Sequence, residues 1–402
     1  MNRKFLAAIA GSSAMGIGIG LHRSQFAVLG ELMATNGWFS NSMIGLLSGI
    51  SLAGFVVGCI QQKQIKKEVI NIICMRYGLA IAVITFFLEP LSAGLGWQAF
   101  WRLIAGWAAA QLVIGIPGLV TRRLPVYDHR FLVAWTIAGS GIAAFIASLL
   151  VSLLTSTSVI GAWFITGTFS AVLAWPIHRF LSLSMRELQP AQTAMQDPSC
   201  STSNPSAMQW SKPLKFLAAS AFFFGAAQAA VVVYFPLLLI AKFEISQALV
   251  QRSFSSLGFG YLLGAIVVGF LPHRYTTDVL MTLSASIGIA GVFLCIASPN
   301  LPSASLGGFL FGLWNGSMIS LLLDRINQSS EAQHARVTWS RFSIILSLGF
   351  TISITCLSPI ADNNVLIIIW IGLWLTFIHL AFQVLSRYLF SIKTNSHFPS
   401  GR

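Results

Sequence analysis

The sequence predicts an all-α polytopic membrane protein, with twelve transmembrane helices in two pseudo-symmetric bundles of six. Three observations predict it. Twelve apolar stretches of spanning length follow one another through the 402 residues; one polar segment divides them six and six; and the basic residues alternate between the two sides. Hydrophobic residues make up 55% of the chain and charged residues 9%, against roughly 25% charged in ordinary globular proteins. That is too little charge to coat a soluble surface. In hydrocarbon each segment must satisfy its own backbone hydrogen bonds, which selects helices.

The first six predicted spans are Phe5–Leu29, Met43–Ile60, Val69–Leu88, Trp97–Val120, Phe131–Leu154 and Val159–Phe180. The second six are Leu214–Ala241, Phe254–Leu271, Val279–Ala297, Ser303–Leu323, Phe342–Ile360 and Val365–Leu385. The apolar run after Arg3 and Lys4 passes Gly20 without a small-residue cleavage site, so it reads as a retained span and not a signal peptide. This divides the chain into an N-terminal bundle (1–180), a linker (181–213), a C-terminal bundle (214–390) and a tail (391–402). The linker is rich in Ser, Pro, Gln and Ala, and Gln189-Pro190, Asp197-Pro198 and Asn204-Pro205 are expected to interrupt any helix there. The 34 glycines serve close helix packing.

Nineteen of the 24 Lys and Arg residues fall on one side, in segments that include both termini and the linker. Only Lys242 and Arg252 fall on the other, and Arg23, Arg76 and Arg102 lie within spans. The positive-inside rule then puts both termini in the cytoplasm. The net charge of +13 is thus a topology signal, and no nucleic-acid partner is implied. The five cysteines form no CxxC pair and read as small apolar fillers, without a disulfide or metal role.

Local motifs add a family. The loop after the second span reads Gly58-Cys-Ile-Gln-Gln-Lys63-Gln-Ile-Lys66-Lys67. It resembles the loop signature of the Major Facilitator Superfamily, with Gln62 where the family has an acid and Ile65 where it has Gly. Gly269-Phe-Leu-Pro-His273-Arg274 echoes its start in the second half. The resemblance implies a gating loop formed by Gly58, Gln62, Lys63, Lys66 and Lys67, repeated at Gly269, His273 and Arg274. Arg102 followed by Gly106 resembles the fourth-helix pattern, and Ala138-Gly139-Ser140-Gly141 the glycine-rich fifth helix. Gly18-Ile-Gly20-Leu-His-Arg23 resembles the first helix of the YbfB/YjiJ-type branch. The family implies alternating access through a central cavity lined by the first, fourth, seventh and tenth helices, and a bacterial inner-membrane location.

Charges inside spans are costly and face a cavity or a partner. On an α-helical wheel Ser12, Gly16, Arg23, Ala27 and Gly30 share a face. That suits a cavity wall, or a helix seam with Arg23 snorkelling outward. Arg102 lies about five residues into the fourth span, roughly 7–8 Å at 1.5 Å per residue, a depth similar to that of Arg23. Together they are candidates for an anion clamp. The alternative for Arg102 is structural, bonding carbonyls or pairing with Glu31 or Glu89. Gln228 and Asn315, beside Trp314, are the polar candidates of the second half: they meet substrate or bridge helices. Glu31, within reach of Arg23 or Arg102, and His22 are candidates for proton coupling. Arg76 and the lone His379 read as structural.

The first functional expectation is a secondary transporter for a small organic anion, acting as a monomer in the bilayer. An efflux carrier for lipophilic compounds and a non-transporting sensor or scaffold are the alternatives. The absence of HExxH, of paired intramembrane Asp and of a Walker loop argues against an enzyme and an ATP-driven pump. No cofactor is implied.

Overall fold

The computed structural model describes residues 3–122, 129–154, 158–194, 212–271, 275–329 and 332–395. The described chain is helical throughout, without strands, and holds twelve helices long and apolar enough to cross a membrane. Helix α1 runs over Arg3–Met15, continues as a π-helix over Gly16–Gln25 and returns to α geometry over Phe26–Thr35. There follow α2 (Asn41–Gln64), α3 (Glu68–Leu88), α4 (Leu95–Arg122), α5 (His129–Leu154) and α6 (Val159–Ala194). The second set is α7 (Lys212–Phe243), α8 (Gln247–Phe270), α9 (Thr277–Ala297), α10 (Leu301–Ser329), α11 (Ala332–Leu357) and α12 (Val365–Asn395).

Helices overrun their apolar stretches at polar first turns. Helix α8 begins at Gln247 and takes in Gln251 and Arg252, and α7 extends through Lys242, so both far-side cations sit on helix and not in loops. Helix α6 also continues past Gln189-Pro190, where an interruption was expected. One ladder bond lost to proline near the end of a 36-residue helix does not end it. Asp197-Pro198 and Asn204-Pro205 lie outside the described residues.

The packing repeats with an offset of six helices. In the first half α2 packs on α4, α3 on α4 and α6, and α1 on α6; in the second α8 packs on α10, α9 on α10 and α12, and α7 on α12. Burial repeats every third helix. The cores of α1, α4, α7 and α10 are 83, 78, 89 and 78% buried, whereas α3, α6, α9 and α12 are 44, 39, 44 and 33% buried. The first group is therefore central and the second faces lipid. Arg76, on peripheral α3, donates to Ser182 Oγ of α6 at 2.8 Å.

The halves meet along two seams, α5 on α8 and α2 on α11. At the first, Gly141 lies so close to α8 that a Cβ on it would stand 2.7 Å from the Gly258 carbonyl. Glycine is required by this approach, because the neighbour is backbone and cannot turn aside. Gly141→Leu is expected to wedge the seam and lower stability by about 1–3 kcal/mol, the usual cost of overpacking. A lowered melting temperature in detergent checks this, and an unchanged one would mean that the seam tolerates a gap.

The π-helix in α1 is the main departure from the sequence-level picture. Its i→i+5 bonding widens the turn, so residues on either side of it leave the common α wheel. Gly20 permits the widening by bringing α1 against the Ser140 carbonyl of α5, where a Cβ would stand 2.5 Å away. The predicted stripe consequently divides. Gly16 and Ser12 turn to Gly139 of α5, while Arg23 reaches across to the second half.

Candidate functional site

Between the halves lies a cavity of about 50 Å3, walled by α1, α2, α4, α7, α10 and α11. At roughly 10–15 Å3 for each water, it has room for about four. Arg23 and Arg102 both line it, with His22, the hydroxyls of Ser48, Ser51, Ser343 and Ser347, and the rings of Phe55, Trp339 and Phe350. The two arginines therefore do share one cavity.

Their surroundings differ. Arg23 Nη2 donates to Gln228 Oε1 of α7 at 2.7 Å, and its guanidinium carbon lies 4.0 Å from the centre of the Phe350 ring on α11. Among the described residues no carboxylate pairs with it. Gln228 Nε2 donates in turn to Asn315 Oδ1 of α10, whose own amide donates to the Phe311 carbonyl. The two amides thus bridge helices and hold Arg23 from behind. They are not on the cavity wall.

Arg102 is 1% exposed and contacts the first half, with Nε and Nη1 buried without a hydrogen-bond partner. Its Nη2 donates to the His22 carbonyl at 2.7 Å, its Nη1 stands 3.6 Å from Glu89 Oε2, and the group lies 3.7 Å above the Phe26 ring. Glu89 is itself 0% exposed. The structural partner for Arg102 is thus Glu89 and not Glu31. The bond to His22 ties α4 to the π-helical segment of α1, where the loosened ladder leaves carbonyls open to outside donors.

His22 and Arg23 diverge, as neighbours on a helix must. His22 Nε2 lies 2.9 Å from the Ala82 carbonyl of α3, and its ring stacks on Phe86 at 4.1 Å. Glu31 reaches neither arginine. Its Oε1 accepts from Thr35 at 2.7 Å and from Gln247 of α8 at 2.7 Å, while Oε2 is buried without a hydrogen-bond partner.

Trp314 does not line the cavity, contrary to its expected place beside Asn315. It is 0% exposed and packs inside the second half, edge-on to Phe224 at 4.9 Å and against His379 at 5.6 Å. Successive residues on a helix point about 100° apart, so Asn315 and Trp314 serve different faces of α10. His379 is held by Ser220, with Nδ1 at 2.9 Å from its carbonyl.

The loop signature has become an amide network. Gln62 is 0% exposed and donates to Gln111 Oε1 of α4 at 2.7 Å. Gln61 Oε1 accepts from Trp107 at 2.7 Å and from Gln111 at 3.2 Å. Gly58 allows α4 to approach, since a Cβ there would meet Ala110 at 2.6 Å. Lys63, Lys66 and Lys67 are exposed. In the second half Gly269 packs against Ala134 of α5, and His273 and Arg274 lie outside the described residues.

Bonds cross between the halves on both sides of the cavity. On the side of Arg3, Ser340 of α11 donates to the Cys59 carbonyl at 2.8 Å. On the opposite side Ser42 N–H donates to Asp362 at 3.0 Å, Ser358 donates to the Ser42 carbonyl, and Gln247 meets Glu31. The halves are thus tied together on both sides of the cavity. Phe350, Phe26 and the four serines were not singled out by sequence, because an aromatic or a serine in a span carries no periodic or charge signal of its own. Among the described residues no group of three His, Cys, Asp or Glu is placed to hold a metal ion.

The family model described as the uncharacterised MFS-type transporter YbfB matches residues 13–365. No curated protein matches the chain.

Proposed function

Because the chain belongs to the family of the uncharacterised MFS-type transporter YbfB, we propose that this integral membrane transporter moves a small organic anion by alternating access and that Arg23 holds the anion. One observation carries the reading: Arg23 faces the cavity with a carboxamide, Gln228, as its polar partner. A neutral acceptor yields a guanidinium to an anion more readily than a carboxylate would, because it offers no opposite charge to compete with the anion. Arg102 takes a supporting part and keeps the first helix in register through the His22 carbonyl. The halves rock about this site, with the basic side and both termini in the cytoplasm of a bacterial inner membrane.

On the same reading the coupling ion is a proton and Glu31 carries it. Its partners, Thr35 and Gln247, are neutral, and its second oxygen is free to accept a proton. A proton taken up there weakens the carboxylate's pull on the Gln247 amide across the seam. Glu31→Gln is expected to abolish accumulation driven by a pH gradient while substrate exchange continues. Loss of both, or of neither, would remove Glu31 from coupling.

The test of the main reading is uptake by proteoliposomes of labelled carboxylates, amino acids, phosphorylated compounds and lipophilic cations. Carboxylate uptake that Arg23→Gln abolishes supports it. Movement of lipophilic cations alone would replace it with the efflux reading.

A further inference from the structure

The charge on the cavity wall has a sum. Arg23 contributes one positive charge that no carboxylate among the described residues offsets. Arg102 contributes a second, but Glu89 stands 3.6 Å from it and both are sealed from solvent. His22 holds the Ala82 carbonyl through Nε2, and no Asp or Glu lines the cavity. The site therefore presents one uncompensated cation. Beyond the guanidinium the wall is mostly apolar, with Leu52, Phe55, Val233, Leu346 and Phe350 around a few serine hydroxyls.

From this we infer that the substrate is a monocarboxylate with an apolar body and no ammonium group, and that Glu89 sets this selectivity by neutralising Arg102. The inference rests on the anion-transport reading and narrows it. A dicarboxylate would bring a second charge with no free cation to meet it, and an uncompensated buried charge is costly. An amino acid would bring an ammonium group into a wall without a carboxylate. Glu89 touches no substrate and acts only through the Arg102 guanidinium. Removing its charge leaves two cations on one cavity, which is the arrangement a dianion needs.

Calorimetric titration of the detergent-solubilised full chain tests this with benzoate, isophthalate and phenylalanine as probes of one, two and zero net negative charges. The wild type is expected to bind benzoate at least about tenfold more tightly than either of the others. Glu89→Gln is expected to shift the benzoate-to-isophthalate ratio at least about tenfold toward isophthalate. The double substitution Glu89→Gln/Arg102→Gln, which removes both charges, is expected to restore the wild-type ratio. A merely structural role for Glu89 would weaken binding of all probes alike and leave the ratio unmoved. If Glu89→Gln fails to fold, Arg102→Gln decides: it leaves the Glu89 carboxylate unneutralised beside the cavity and is expected to shift the ratio further toward benzoate, and an unmoved ratio overturns the role of Glu89. Equal binding of benzoate and isophthalate by the wild type overturns the inference while leaving anion transport standing, and a preference for phenylalanine over both overturns the anion reading with it. No binding of any carboxylate overturns both.

Discussion

Arg23→Gln is expected to reduce anion affinity by about 30- to 1,000-fold while the protein still folds. The magnitude follows from the cost of removing one member of a buried, hydrogen-bonded charge pair, about 2–4 kcal/mol, converted at about 1.4 kcal/mol for each factor of ten. Folding should survive because Arg23 is partly exposed to the cavity and has no carboxylate partner to strand among the described residues. A glutamine at this position still has an amide donor for Gln228, which now accepts from Arg23 at 2.7 Å. Arg23→Lys is expected to fall between the two, since an ammonium keeps the charge but loses the planar fork that grips a carboxylate at two points. Uptake and direct binding should be measured together. Normal anion uptake by Arg23→Gln protein would show that the guanidinium is only a tether between α1 and α7.

Hydropathy made the architecture readable, because every spanning helix needs its own length of apolar sequence and twelve such lengths are present. The depth of the two arginines was readable too. Five residues at 1.5 Å each put Arg102 at a depth similar to that of Arg23, and both arginines line one cavity. What could not be read was which way side chains turn. The face assigned to Ser12, Gly16 and Arg23 assumed an unbroken α-helix, and the π-helical turn from Gly16 to Gln25 broke that assumption. Adjacency in sequence pairs Trp314 with Asn315, but adjacency on a helix separates side chains. The partner of Arg102 stayed open between Glu31 and Glu89 because both lie at the same end of the bundle in sequence. The choice is made by packing of α3 against α4, with Glu31 drawn away to Gln247 on α8. Gln62 shows a different limit. Its departure from the family pattern was visible, but its bond to Gln111, 49 residues on, depends on the crossing of α2 and α4 at Gly58.

The buried pair is expected to give the largest stability effects in the molecule, and in a pattern that separates pairing from packing. Arg102→Met leaves Glu89 sealed in apolar surroundings with no cation beside it; Glu89→Leu leaves Arg102 in the same position. Each is expected to lower stability by about 3–5 kcal/mol, the cost of breaking a buried ion pair on one side. The double substitution Arg102→Met/Glu89→Leu removes both charges and fills the space with apolar atoms, and well-packed replacements of buried pairs are often neutral. It is therefore expected to recover much of the loss. What remains should reflect the bond from Arg102 to the His22 carbonyl and the contact with Phe26, neither of which methionine reproduces. A double-mutant cycle read by thermal unfolding in detergent isolates the coupling. If the two single losses simply add in the double variant, the 3.6 Å approach carries no coupling energy. Arg102 would then be held by its carbonyl and ring contacts alone, and its charge would stand open to the cavity beside that of Arg23.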